Sequence, residues 1–269
     1  MEKIKTGVSG LDALVGGGFP RGFNILIAGK PGCGKTILGL QYLYNGAKEG
    51  EVGLYVSLDA RIEEIKEQGR MFGWDIDDLC KQKKLVFLEI PLNRIARVNL
   101  FKLIEDTVKN CGATRLVFDS LSSFIFNINQ FILDMPYIDD LSKLSDESKE
   151  YLGEDLLHKK SMPEDIIAKE RPDPEFYRDG IKKRVVYLML RELAYIGTTN
   201  IVINSQRFGD DNATMDGVSE FVCDGIVQME TIDLGGGPAR MLKVVKMRNS
   251  NNSLELHNFD ITANGIAIT

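Results

Sequence analysis

From residue 24 to residue 205, short apolar runs alternate with segments whose apolar residues recur every three to four positions. NILIAG (24–29), VGLYVS (52–57), KLVFLEI (84–90), RLVFDS (115–120) and NIVINS (200–205) predict buried strands. Between them, Leu40, Leu43, Tyr44 and Ala47 fall at i, i+3, i+4 and i+7, as do Val186, Met189, Leu190 and Leu193, so each set marks the core-facing stripe of a helix. Strands alternating with helices predict an α/β fold: a mostly parallel central sheet flanked by helices. Past residue 215 the helical period disappears. FVCDGIVQME, ARMLKVVKM, NSLELHNFDI and GIAIT then predict consecutive strands joined by turns such as Gly235-Gly236-Gly237, an antiparallel C-terminal extension of the sheet.

Residues 127–181 break the pattern. Pro136, Pro163, Pro172 and Pro174 interrupt them and acidic residues outnumber basic ones two to one, which predicts an insertion between two core elements. A solvated excursion and a partner-binding or subunit-contact segment are the two readings of it. Near the start, Gly16, Gly17 and Gly18 are expected to end a short helix that begins near Leu11, and Pro20-Arg21-Gly22 to turn the chain into the first core strand. Trp74, between a helical segment and a polar turn, is read as a packed aromatic, with a base-stacking platform as the alternative.

The 269 residues, 43% hydrophobic and 27% charged, fit one domain spanning 1–269. No apolar run is long enough to span a membrane and MEKIKTGVSG lacks a signal-peptide core, so a cytoplasmic location is expected. Cys33, Cys80, Cys111 and Cys223 are scattered and only two histidines are present, which suggests neither a disulfide framework nor a zinc site. A formal net charge of −6 gives no general attraction for nucleic acid.

The strongest chemical signal is Gly29-Lys30-Pro31-Gly32-Cys33-Gly34-Lys35-Thr36, a full G-x-x-x-x-G-K-[ST] match set between a predicted strand and a predicted helix. The glycines let backbone N–H groups wrap a polyphosphate, and the helix N-terminus adds partial positive charge. In this pattern Lys35 reaches the β- and γ-phosphates, while Thr36 and a carboxylate at a neighbouring strand end hold Mg²⁺. Asp119, closing RLVFD, is the candidate for that carboxylate. Cys33 is read as a small residue that suits the loop rather than a redox centre.

TGVSGLDALVGGGFPRG (6–22), QYLYNGAKEGEVGLYVSLD, FGWD (72–75), VFDSLSS (117–123), KMRNS (246–250) and FDITANGIAI (259–268) together resemble the KaiC-like branch of the RecA superfamily of ATPases. The resemblance covers nearly all of the chain outside 127–181. It implies ATP as the nucleotide and a homo-oligomer, a hexameric ring with ATP at subunit boundaries, that acts on a protein partner whose identity is unknown. It also implies that Lys246 and Arg248 project into the nucleotide of the neighbouring subunit. Their spacing places them on one strand face; the alternative is a basic strand edge that blocks unwanted pairing.

The resemblance further places Gln206 where the γ-phosphate is sensed, with an ordinary polar loop residue as the alternative. In the family, the strand after the phosphate loop ends in one or two glutamates that orient or deprotonate water; here those positions hold Asp59 and Ala60. The shorter aspartate implies slow hydrolysis. Glu63 or Glu64 could substitute only if their helix starts close to the phosphates. A non-hydrolysing ATP-dependent scaffold is the alternative. A recombinase-like protein binding single-stranded DNA is disfavoured, because Asp210, Asp211, Asp216 and Glu220 follow Gln206 against Arg207 alone.

Overall fold

The computed structural model describes residues 1–91, 100–134, 174–206, 214, 216–233, 235 and 237–269. A two-stranded ribbon, β1 (Lys3–Ile4) with β2 (Phe19–Pro20), brackets helix α1 (Leu11–Leu14). Gly16, Gly17 and Gly18 follow α1 with positive φ, and the Gly17 amide closes back onto the Asp12 carbonyl. The expected glycine stop is therefore present. At Gly18 a side chain would lie 2.2 Å from the Ile4 carbonyl oxygen, so the ribbon itself requires that glycine.

The main sheet is built from β3 (Asn24–Gly29), β4 (Gly53–Ser57), β5 (Leu85–Glu89), β6 (Arg115–Asp119), β7 (Thr199–Ser205), β8 (Gly225–Asp233), β9 (Pro238–Met247), β10 (Leu256–Thr262) and β11 (Gly265–Ile268). Across the sheet the order is β11-β10-β9-β8-β3-β7-β6-β4-β5, and every pair from β8 to β5 is parallel. Between strands run α2 (Lys35–Lys48), α3 (Ile62–Met71), α4 (Ile76–Lys81), α5 (Leu100–Cys111), α6 (Leu121–Asp134), α7 (Pro174–Tyr195) and the single turn α8 (Ser219–Val222).

Strand periodicity sorts the core into two layers. Ile25, Ile27, Tyr55 and Val117 face a cluster under α2, α3 and α4, whereas Leu26, Ala28, Leu54, Val56, Leu116 and Phe118 face one under α5, α6 and α7. Leu40, Leu43 and Ala47 of α2 and Val186, Met189, Leu190 and Leu193 of α7 are fully buried, as their helical spacing requires. Trp74 is buried too. It stacks on Tyr44 at 5.1 Å and packs beside Phe72 at 5.0 Å, so it serves the core.

Two expectations need correction. KLVFLEI is not a fully buried strand: β5 is the sheet edge, paired with β4 alone, and Val86, Phe87 and Leu88 are only partly covered. FVCDGIVQME is not one strand. Phe221 and Val222 close α8, and β8 starts at Gly225, where the register brings the chain alongside β3. The C-terminal extension is as expected: β8, β9, β10 and β11 pair antiparallel in chain order, and β8 joins this meander to the core by running parallel to β3. The 127–181 segment lies largely outside the described residues; at its borders, α6 continues to Asp134 and α7 begins at Pro174.

Candidate functional site

β3 lies between β7 and β8, so the chain leaves it towards one side of the sheet and returns on the other. Ligands bind beyond the carboxyl ends of strands at such a reversal, and here β3 ends there in Gly29. Gly29 is fixed by close approach: an added Cβ would lie 2.0 Å from the Met229 carbonyl oxygen on β8 and 2.8 Å from Cys33 Sγ. Gly32 (φ 83°) and Gly34 (φ 104°) then turn the loop through left-handed backbone into α2.

The Lys35 ammonium is buried inside this loop and donates to the carbonyls of Gly29 (2.8 Å) and Lys30 (2.9 Å). Burial pushes its pKa down, opposed by the nearby Cys33 and Asp119. Burial likewise pushes the Cys33 thiol up, which leaves it a weak nucleophile and agrees with a packing role.

At the next residue of α2, Thr36 Oγ1 donates to Asp119 Oδ2 at 2.9 Å, and the Tyr55 hydroxyl donates to the same oxygen at 2.5 Å. Asp119 ends β6 and precedes Ser120 across a cis peptide bond. Its register partner is Ser57 at the end of β4, which brings exposed Asp59 beside it. Asp59 Oδ2 accepts from Ser123 Oγ at 3.0 Å, and Ser123 is itself tied to Ser120 at 2.9 Å. Ala60 packs on the core, while Ser57 Oγ donates to its carbonyl. Glu63 is engaged by Lys66 and Arg70, and Glu64 by Arg61, so both carboxylates belong to the surface of α3. Gln206 is buried and its backbone N–H donates to the Gly29 carbonyl at 3.0 Å, against the first residue of the loop.

The structure thus brings Gly29, Lys35, Thr36, Asp119, Asp59 and Gln206 to one end of the sheet. Lys246 and Arg248 are not among them. Lys246 pairs with Ile226 near the start of β8, and the Arg248 amide bonds the carbonyl of Asp224, next to Asn24 at the start of β3. Asn24 to Gly29 is about 16 Å at roughly 3.3 Å per residue, so this pair sits at the far end from its own loop. Tyr55, Ser123 and Asn204 escaped the sequence reading, because a hydroxyl or amide on a strand or helix carries no pattern until the fold supplies its partner.

Burial raises the Asp119 carboxyl, against the hydrogen bonds from Tyr55 and Thr36 that favour the anion. A carboxyl with a higher pKa folded than unfolded loses stability as pH rises through that interval. Asp119→Asn, whose amide oxygen can still accept from Tyr55 and Thr36, is therefore expected to unfold at a higher temperature than the parent at pH 7. The difference should shrink on acidification and disappear below about pH 3, under the unfolded carboxyl's pKa of about 3.9, where the parent carboxyl is protonated in both states. Thermal unfolding at several pH values checks this; a gap that widens on acidification would contradict it.

The donor set suits Mg²⁺. That ion keeps several waters and takes one or two protein oxygens beside phosphate oxygens, which matches one hydroxyl and one carboxylate 2.9 Å apart. No group of three metal-ligating side chains occurs among the described residues, and none is needed for such a site. No described helix is long and apolar enough to cross a membrane.

The acidity that argued against DNA after Gln206 is partly internal. Asp216 is buried and bonded within the chain, and the half-buried Glu220 accepts from Thr214; Arg207, Asp210 and Asp211 lie outside the described residues.

A family described as "ATPase: KaiC" matches residues 4–132 and 177–269. A UPF0273 protein of Methanocaldococcus jannaschii is 28% identical over all of this chain and 96% of its own length, and one of Aeropyrum pernix is 27% identical over all of this chain and 94% of its own. The crystal structure of a KaiC-like protein from Pyrococcus horikoshii superimposes with a TM-score of 0.72 at 25% identity, covering 100% of this chain and 99% of that one. A RecA-like sheet carrying a complete phosphate loop at its reversal point and matched along both halves has one reading: this chain belongs to the KaiC family of ATPases and is an ATP-binding protein.

Proposed function

We propose that the chain hydrolyses Mg-ATP slowly as part of a cytoplasmic ring, hexameric as its resemblance implies, with nucleotide at each subunit boundary, and that the ring's nucleotide state controls a protein partner. The position of Lys246 and Arg248 carries this reading. They cannot reach their own loop, yet a head-to-tail neighbour would meet them, which is the contact that closes rings. In that geometry they neutralise charge on the neighbour's transferred phosphate, a contribution of about 10³ to 10⁵ in rate where such fingers act.

Within a subunit, the loop amides and Lys35 bind the phosphates, and Thr36 and Asp119 hold Mg²⁺, which supplies charge neutralisation there. Gln206 senses the γ-phosphate, a role supported by the bond from its backbone amide to the Gly29 carbonyl. Asp59 orients water and accepts its proton. Its side chain is one methylene shorter than glutamate, and a shortfall near 1 Å can cost about 10²-fold.

A second reading, a scaffold that binds ATP without turning it over, is favoured by a specific arrangement. Asp59 is already bonded to Ser123, Ala60 offers no carboxylate, and Glu63 and Glu64 are held by cations of their own segment. Steady-state phosphate release separates the two. Turnover is expected in the parent and should fall roughly 10- to 100-fold in Asp59→Ala, the range for losing a general base that is already poorly placed. A parent as inert as that variant, while still binding ATP, would make the protein a scaffold.

A further inference from the structure

The mechanism above leaves one buried carboxylate unused. Asp216 is 4% exposed and accepts four hydrogen bonds: from the amides of Val218 (2.8 Å) and Ser219 (2.6 Å), from Ser219 Oγ (2.9 Å), and from Asn204 Nδ2 (2.8 Å). Asn204 and Ser219 are both fully buried. Asn204 lies on β7 opposite Ala28, one residue short of the phosphate loop. Its own Oδ1 has no partner among the described residues, so the amide is fixed through Nδ2, by the bond to Asp216 and a longer one to Ser219 Oγ at 3.3 Å.

From Asp216 the chain runs down one face of the sheet, through α8, to Asp224, whose amide bonds the Asn24 carbonyl at the opposite end. At that end α8 holds the two cations. Lys246 Nζ donates to the carbonyls of Glu220 (3.1 Å), Phe221 (3.4 Å) and Cys223 (2.7 Å). Arg248 donates to the Phe221 carbonyl and to Asp224 Oδ1, each at 3.1 Å. Residues 216–224 therefore form a strut pinned at the nucleotide end by Asp216 and bearing Lys246 and Arg248 at the other.

We propose that Asp216 is a positioning residue for Lys246 and Arg248: by clamping α8 to Asn204 on β7, it aims both cations at the nucleotide of the neighbouring subunit. This rests on the reading that the pair acts in trans. The clamp also ties the cations to the strand that ends beside Gly29, so displacement of β7 in one subunit moves the finger offered to the next.

Removing the Asp216 carboxylate strands four donors, so Asp216→Ala disturbs α8 as a whole. Asn204→Ala cuts only the tie to β7 and leaves the α8 cap in place. Either variant is expected to bind ATP in its own loop like the parent and to turn over roughly 10-fold more slowly or worse, as for misplacement of a charge by a fraction of an ångström to 1 Å.

A simple stability defect would also slow turnover, and subunit mixing tells the two apart. Lys35→Ala subunits have a disabled loop but an intact finger. In a 1:1 mixture with Asp216→Ala or Asn204→Ala subunits, competent loops meet competent fingers at roughly a quarter of random head-to-tail boundaries, so about a quarter of the parental rate should return. The control is the same mixture made with Lys246→Ala subunits. If the control recovers and neither clamp variant does, Asp216 and Asn204 serve their own loop and the clamp proposal fails alone. If the control stays inert in rings shown to exchange subunits, the trans reading fails and takes the clamp with it.

Discussion

Lys35→Ala is expected to lower phosphate release by at least about 10²- to 10³-fold, the cost of removing one preorganised cation from a charge-stabilising site. The ammonium is buried in the loop that it would serve, held by the Gly29 and Lys30 carbonyls, and burial already depresses its pKa. Such a cation gains most from a polyphosphate, which replaces two neutral acceptors with full negative charge. Affinity for a fluorescent ATP analogue should weaken in parallel, because Lys35 would contact the phosphates before as well as during transfer. Lys35→Arg is not a rescue: a planar fork cannot occupy the space of a point charge enclosed by two carbonyls and Cys33. Parental turnover in Lys35→Ala would mean that phosphate is bound elsewhere.

The second large effect is on stability, at a residue far from the chemistry. Arg115 opens β6 and is 3% exposed; its guanidinium pairs with Glu51, donates to the Tyr42 carbonyl at 3.0 Å and lies 4.6 Å from the centre of the Tyr42 ring. Helix α2 makes room for it. A Cβ at Gly46 would sit 2.3 Å from Arg115 Nε, which accounts for a glycine in a helix interior despite a cost of about 1 kcal/mol relative to alanine. Arg115→Ala leaves a cavity, removes one donor from the Tyr42 carbonyl and leaves Glu51 with Arg21, 3.9 Å away, in place of its close cation.

Breaking a buried pair costs about 3–5 kcal/mol, and the 23% exposure of the Glu51 side chain puts this one at the lower end. At roughly 2–4 °C per kcal/mol for a chain of this size, the melting temperature should fall by roughly 6–12 °C. A double variant, Arg115→Met with Glu51→Gln, should recover much of that loss, since an unpaired charge dominates the penalty. A fall of only a degree or two in Arg115→Ala would show that Arg21 and water together compensate Glu51.

The sequence by itself determined the parallel core and the phosphate loop. Period-2 strands and period-3.6 helices are local consequences of which residues must face the core, so NILIAG and the stripe through Leu40, Leu43 and Ala47 could be read in place. Gly29 to Thr36 are contiguous, and their chemistry depends on backbone shape that the glycines dictate. Asp119 was legible for the same reason, as the polar end of an apolar strand.

What the sequence left open depends on partners distant along the chain. The run FVCDGIVQME has strand composition throughout, yet its first residues form α8, because Asp216 caps that turn and Lys246 and Arg248 gather its carbonyls. The edge position of β5, the parallel pairing of β8 with β3, the Tyr55 and Thr36 bonds to Asp119, and the Ser123 bond to Asp59 are decided by strand order. Only the folded sheet also places Lys246 and Arg248 at the end away from their own loop. Spacing of two residues predicts a shared strand face, yet β9 ends at Met247 and Arg248 lies in the turn beyond it; which end of the sheet the pair occupies depends on register across β9, β8 and β3, and register is set by packing over the whole core.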